Sequence, residues 1–198
     1  MMAPVESPTY SYWDVMRKIV LAALWMLAMG GANAQVYVGG ALGVAKTSVD
    51  CTGASSCDST NTGYKAYLGY TDVANSIMSV EVGYLDFGKA KASGPGVTVS
   101  IKDSAYYLAG VLHGNFTPSF GGDGHLGMAY VKTTCAVSVA GVSGLLSETN
   151  MKPYFGVSLD YAFTPKFKAI GSLDFTKGEC ASQSGGLMLL SVGAKYAF

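Results

Sequence analysis

The sequence predicts an all-β protein, an eight-stranded antiparallel up-and-down transmembrane β-barrel. Three observations lead there. The chain is rich in apolar residues, 49% against only 13% charged, yet after Ala34 it holds no unbroken apolar run of the roughly 20 residues that a membrane helix needs. From Gln35 onward apolar residues alternate with small or polar ones, and Gly, Asn, Asp, Ser and Pro clusters break the pattern at intervals. The greasy set of each segment carries aromatics near its ends, while the opposite set is rich in Gly and Ala. That division suits lipid outside and a narrow, side-chain-filled interior within.

Taken in order, the strands are expected at 35–47, 62–71, 76–88, 99–114, 124–135, 150–164, 166–178 and 186–198. Each can reach the about 9–11 residues that cross a bilayer when tilted. Successive side chains point to opposite faces, so parity assigns the walls. In the second strand Tyr64, Ala66, Leu68 and Tyr70 oppose Lys65, Tyr67, Gly69 and Thr71. In the third, Met78, Val80, Val82 and Tyr84 oppose Ser79, Glu81, Gly83 and Leu85. In the sixth, Phe155, Val157, Leu159, Tyr161 and Phe163 oppose Tyr154, Gly156, Ser158, Asp160 and Ala162. The last puts Met188, Leu190, Val192, Ala194, Tyr196 and Phe198 on one face, with Ser191, Gly193 and Lys195 on the other. A soluble barrel would reverse the two faces. The Gly- and Ala-rich small face, the aromatic strand ends and the aromatic terminus favour the greasy face outward.

The connections alternate in character. DVANS, NFTPSFGGD and TPK are compact, whereas SVDCTGASSCDSTN and AVSVAGVSGLLSET are long and polar. Short turns on the periplasmic side and long loops outside are the layout of an outer-membrane barrel. Both histidines, His113 and His125, then flank a periplasmic turn as rim residues. Four cysteines allow three pairings. Cys51 with Cys57, and Cys135 with Cys180, is the expected set, on the extracellular side. The spacings match no usual zinc pattern.

Residues 16–34, MRKIVLAALWMLAMGGANA, have a charged start, a short apolar stretch and a small-x-small cleavage site: a secretory signal peptide. Residues 1–15 fit no part of a signal, so Met16 is the expected start and 1–15 an upstream mis-start. The barrel domain is 35–198, and an exported chain can form disulfides. The charges balance at 13 and 13, which gives no electrostatic case for nucleic acid.

Parity turns Lys65, Glu81, Asp160, Asp174 and Lys195 inward, with Asp103 and Lys168. Isolated buried charges are costly, so these must pair or meet water. They form either a polar plug or an ion pathway. No nucleophile–base spacing and no cofactor motif is recognisable. GGALG and GGDG lack the strand-to-helix context of a phosphate loop. Catalysis, cofactors and metals are not expected, and binding through displayed loops is.

Residues 16–198, with VYVGGALGVA opening the first strand and LSVGAKYAF in the last, resemble the small outer-membrane barrels of Gram-negative bacteria, similar to the transmembrane domain of outer-membrane protein A. The resemblance implies a cell outer-membrane location among lipid and lipopolysaccharide, as a monomer. It implies assembly by the barrel machinery and periplasmic chaperones, with Val192, Tyr196 and Phe198 fitting that machinery's C-terminal signal. The two-domain members carry a peptidoglycan-binding domain, which nothing in this sequence resembles, so tethering to the cell wall is not implied. A structural or surface-interaction role in adhesion, host-factor or phage binding is the expected function. The alternatives are an outer-membrane enzyme acting on lipid A or peptides, or a narrow small-solute channel.

Overall fold

The computed structural model describes residues 34–48, 55–72, 77–139, 142–180 and 183–198. The expected signal peptide, Cys51 and the side chain of Cys57 lie outside the described residues. The strands are β1 (Ala34–Thr47), β2 (Ser56–Asp58), β3 (Thr60–Asp72), β4 (Met78–Gly94), β5 (Val97–Asn115), β6 (Phe120–Val139), β7 (Val142–Ala162), β8 (Phe167–Cys180) and β9 (Gln183–Ala197). Eight of them follow one another around a closed ring in the order β4-β3-β1-β9-β8-β7-β6-β5, and β5 returns to β4. The ring shuts where β1 meets β9, from Tyr37↔Ala197 to Thr47↔Leu187. Short β2 hangs outside that count and pairs with the upper part of β4, Ser56↔Ser93 to Asp58↔Lys91.

The outer wall carries two aromatic belts. At one level Tyr64, Tyr84 and Tyr106 form a chain of ring contacts, with centroids 5.8 and 5.0 Å apart. Tyr130 continues it as the register partner of Tyr106. At the other level stand Phe116, Phe120, Tyr161, Phe163, Phe167, Tyr196 and Phe198, all exposed. Between the belts the outward residues are mainly Leu, Val, Met and Phe, with Ala66, Gly110, Gly124 and Gly171 among them. Ten residue steps of β6 separate Phe120 from Tyr130. At about 3.3 Å per residue and a tilt near 40°, that spans about 25 Å, the height of a barrel's apolar band.

The lower belt is built from a sequence repeat. The β5–β6 turn is FTPSF (116–120) and the β7–β8 turn is FTPKF (163–167). In each, the threonine hydroxyl accepts the backbone N–H of the second phenylalanine, at 3.0 Å for Phe120 and 2.9 Å for Phe167. The two rings of each turn lie 5.7 and 6.0 Å apart. A proline after the threonine suits such turns because its fixed φ needs no N–H donor.

Inside, large rings face glycines across the strands. A Cβ at Gly39 would sit 2.1 Å from the Tyr67 ring, and one at Gly69 would sit 2.0 Å from the Tyr37 ring. The two tyrosines thus lie over each other's neighbouring glycines, at a centroid distance of 6.2 Å. Close approach of this kind needs glycine in the wall.

Parity across β3, β4, β7 and β9 places the quoted residues as the sequence predicts. The strand lengths are longer than expected. Residues 89–98, between the expected third and fourth strands, and AVSVAGVSGLLSET, read from sequence as a long loop, lie mostly in paired strands. β4 and β5 run up to a tight turn at Pro95–Gly96, closed by Gly94↔Val97. Gly96 has φ +75 there, the left-handed value that the position after a turn proline favours. β6 and β7 stay paired to Val139↔Val142. These hairpins rise about 20 Å above the tyrosine belt, while β8 and β9 end at Cys180↔Gln183, so one side of the wall stands much taller. A bulge between Asp86 and Lys89, with Gly88 at φ +73, turns Phe87 inward at the base of that extension.

Candidate functional site

Strand alternation collects the polar chemistry in the interior, in three tiers. The middle tier centres on Lys65 of β3. Its Nζ lies 3.0 Å from Asp174 Oδ1 and 3.7 Å from Glu81 Oε1, and donates to the Tyr154 hydroxyl at 3.2 Å. The ammonium also stands over the rings of Tyr67 and Tyr107, 5.0 and 5.2 Å from their centroids. Tyr107 and Tyr154 stack at 4.4 Å, and their hydroxyls donate to Glu81 and Asp174 respectively. Tyr37 donates to the other Glu81 oxygen at 3.2 Å. Ser172 donates to Asp174 Oδ2, also at 3.2 Å. Glu81 is 1% exposed, and Asp174 and Tyr154 are 0%. Each charge therefore has an opposite charge and hydrogen bonds, the condition under which a buried ion pair is tolerable.

The lower tier lies toward the FTPxF turns. Lys195 donates to Asp123 Oδ2 at 2.8 Å, and Lys168 donates to Asp160 Oδ2 at 2.7 Å. His113 Nδ1 is 2.6 Å from Asp123 Oδ1, and its Nε2 is 2.6 Å from Ser79 Oγ. Ser79, His113 and Asp123 are thus linked in the order seen in hydrolases. The Ser79 hydroxyl also meets the Tyr37 hydroxyl at 3.1 Å. β4 is paired on both sides at Ser79, with Thr71 and Val111. The ladder claims the backbone N–H groups that an oxyanion hole would need.

The upper tier is different. Asp103 accepts the Thr133 hydroxyl at 2.6 Å beneath a mouth bridged by the Cys135–Cys180 disulfide, whose Cα atoms are 6.6 Å apart. The bridge links β6 to β8, passing over the inner side of β7. Two cavities flank the middle tier. The upper one, of about 580 Å³, is lined by Val99, Ile101, Val137 and Leu187, by the hydroxyl residues Thr47, Ser48, Thr133 and Ser184, and by Asp103, Glu179 and the disulfide. The lower one, of about 290 Å³, is lined by Tyr37, His113, Asp123, Asp160, Lys168 and Lys195.

Lys65, Glu81 and Asp174 come together in the middle, Asp160, Lys168 and Lys195 line the lower mouth, and Asp103 stands alone above. Sequence reasoning missed Asp123 and misplaced His125. His125 is no rim residue: it lies buried within β6, its Nδ1 3.5 Å from Glu81 Oε1. The run GGDGHLG resembles a turn, but β6 starts at Phe120, and from there Asp123 and His125 share the inward parity. The FTPxF repeat was the available signal, since it fixes where both lower turns end. Val192, Tyr196 and Phe198 are exposed on the outer wall, and the Phe198 N–H donates to the Val36 carbonyl at 3.0 Å. Among the described residues no group of His, Cys, Asp and Glu is placed to hold a metal.

Several solved structures share this barrel. Ail, the attachment invasion locus protein of Yersinia pestis, aligns over 84% of this chain and 99% of its own at 14% identity, with a TM-score of 0.58. Neisserial surface protein A aligns over 82% and 97% at 16% identity, TM-score 0.52. OprG, an outer membrane protein from Pseudomonas aeruginosa, aligns over 84% and 96% at 15% identity, TM-score 0.53. At these identities the likeness is one of fold. No curated protein sequence matches the chain. Residues 31–171 match the OmpA-like transmembrane domain. With that match spanning most of a closed eight-stranded barrel, the chain belongs to the OmpA-like transmembrane domain family and is an outer-membrane β-barrel.

Proposed function

We propose that this barrel is a closed outer-membrane scaffold whose work is done at its extracellular end, by the tall β4–β5 and β6–β7 hairpins. The observation that carries this reading is the Lys65 tier. Ion pairs, stacked tyrosines and their hydroxyls fill the interior between the two mouths, and eight strands enclose little more space than side chains occupy. A plug supports display over conduction. On this reading the chain is a monomer among lipid and lipopolysaccharide, exported by a cleaved signal peptide and delivered by periplasmic chaperones to the barrel assembly machinery. The disulfide at the mouth ties β6 to β8 and so limits the freedom of the hairpins above them, which suits surfaces for adhesion, host-factor or phage binding.

The test is to shorten both hairpins. Replacing residues 91–100 and 136–145 by two-residue turns keeps every belt and plug residue and the Cys135–Cys180 bridge. Binding of the expressing cells to host matrix or phage should be lost while barrel levels in the membrane stay unchanged. Binding that survives both truncations contradicts a hairpin role.

The Ser79–His113–Asp123 chain favours a second reading, an enzyme. We take the chain as structural, because Ser79 is buried, shares its hydroxyl with Tyr37 and lacks free N–H donors around it. A fluorophosphonate probe should leave Ser79 unlabelled in the folded protein, and stoichiometric labelling would establish the enzyme reading instead.

A further inference from the structure

Among the described residues the interior carboxylates are paired with cations, except Asp103. Glu81 faces Lys65 and His125. Asp174 faces Lys65, Asp123 faces Lys195 and His113, Asp160 faces Lys168, and buried Asp86 reaches exposed Lys102 at 3.9 Å. Asp103 is 1% exposed, and among the described residues it has no basic partner, only the Thr133 hydroxyl. A buried carboxylate without a counter-charge is costly; protonation relieves that cost, and so does a bound cation.

The surroundings of Asp103 describe that cation. It lies at the bottom of the 580 Å³ upper cavity, a volume in the range of small-molecule sites. Val99, Ile101, Val137 and Leu187 give the cavity apolar walls. Among the described residues no lysine, arginine or histidine lines it, and Glu179, which also lines it, is engaged by Lys152. No aromatic side chain among the described residues lines it either, which argues against a quaternary ammonium held by an aromatic cage. A group with N–H donors suits Asp103 better. Gly178 keeps the approach open, since a Cβ there would stand 3.0 Å from Asp103 Oδ1 and 3.1 Å from Thr133 Oγ1.

We propose that the disulfide-bridged upper mouth is a binding site for small amphiphilic amines, with a protonated primary amine on Asp103 and a short alkyl body against Val99, Ile101 and Val137. This goes beyond the hairpin reading: Ala92, Val99, Cys135 and Val137 line the site from the inner faces of the same hairpins, and an amine titration reads the site without any cell or phage ligand.

The test is calorimetric titration of the full barrel, folded in a non-ionic detergent, with n-hexylamine at neutral pH. Hexanol and hexanoate serve as neutral and anionic controls of the same length. Hexylamine should bind saturably at one site, hexanol about tenfold or more weakly, and hexanoate not at all. Asp103→Asn, which keeps the shape, should bring hexylamine down to the level of hexanol. Val137→Trp, which fills the cavity without touching Asp103, should abolish binding of both. Heat-modifiable electrophoretic mobility checks that both variants are folded. Equal binding of amine and alcohol, an unchanged titration in folded Asp103→Asn, or no saturable binding would each overturn the proposal.

Discussion

Lys65 and Asp174 lie 109 positions apart in the sequence and 3.0 Å apart in the barrel, on strands separated by two others around the ring. Their contact spans the interior and, with Glu81, closes it. Removing the cation alone leaves two carboxylates facing each other with little water. Lys65→Met is expected to destabilise the barrel by about 3–5 kcal/mol, the usual penalty for breaking a buried pair. Adding Glu81→Gln and Asp174→Asn should restore most of that loss. Urea unfolding in lipid vesicles reads both. A triple variant no better than Lys65→Met would mean that the pairing is not what holds this tier.

The glycine–tyrosine packing gives a sharper structural test. Gly69→Ala pushes a methyl group into the Tyr37 ring and should cost about 1–3 kcal/mol. In Tyr37→Ala the methyl has room, so the double variant should be less destabilised than the sum of the two single changes. Additive effects in the urea midpoints would contradict the contact.

The belts assign the membrane level, and arginine can probe it. Val157 faces outward on β7 midway between Tyr161 and Met151, whereas Leu145, 78% exposed, stands high on the β6–β7 hairpin. Val157→Arg should destabilise the inserted barrel by about 2–4 kcal/mol, as arginine does near a bilayer midplane. Leu145→Arg should change stability by only about 0.5 kcal/mol. Similar penalties at both sites in vesicle refolding titrations would place the membrane elsewhere.

The terminal ring serves packing and, on our reading, recognition. Phe198 meets Tyr196 edge-on at 5.2 Å. Its deletion should lower outer-membrane levels several-fold in cells while the purified, refolded protein melts within a few degrees of the parent. Normal membrane levels would remove the assembly role and leave the ring in the lower belt.

Much of this architecture is legible because lipid writes a period of two onto each strand. Val157 and Ser158, or Tyr196 and Lys195, declare their faces wherever one side meets hydrocarbon and the other a narrow interior. That pressure ends at the tyrosine belt. Above it both faces of β5, β6 and β7 meet water or the open mouth, so alternation fades and residues 136–139 and 142–144 read as loop although their backbone is paired. Asp123 and His125 were obscured for a related reason: three glycines around them resemble a turn, and only the FTPxF repeat marks the turn as already closed. The partners within the interior are a matter of register and shear between distant strands. Parity can list Lys65, Glu81 and Asp174 as inward, but nothing in their spacing says that they touch.

Whether the Lys65 tier closes the barrel is tested most directly by recording from the purified protein in a planar lipid bilayer. A closed scaffold gives no steady ohmic conductance in the parent, and a leak appears when Lys65, Tyr107 and Tyr154 are all replaced by Ala. A large, stable conductance from the unaltered protein would contradict the plug, and with it the reading of this barrel as a scaffold for display.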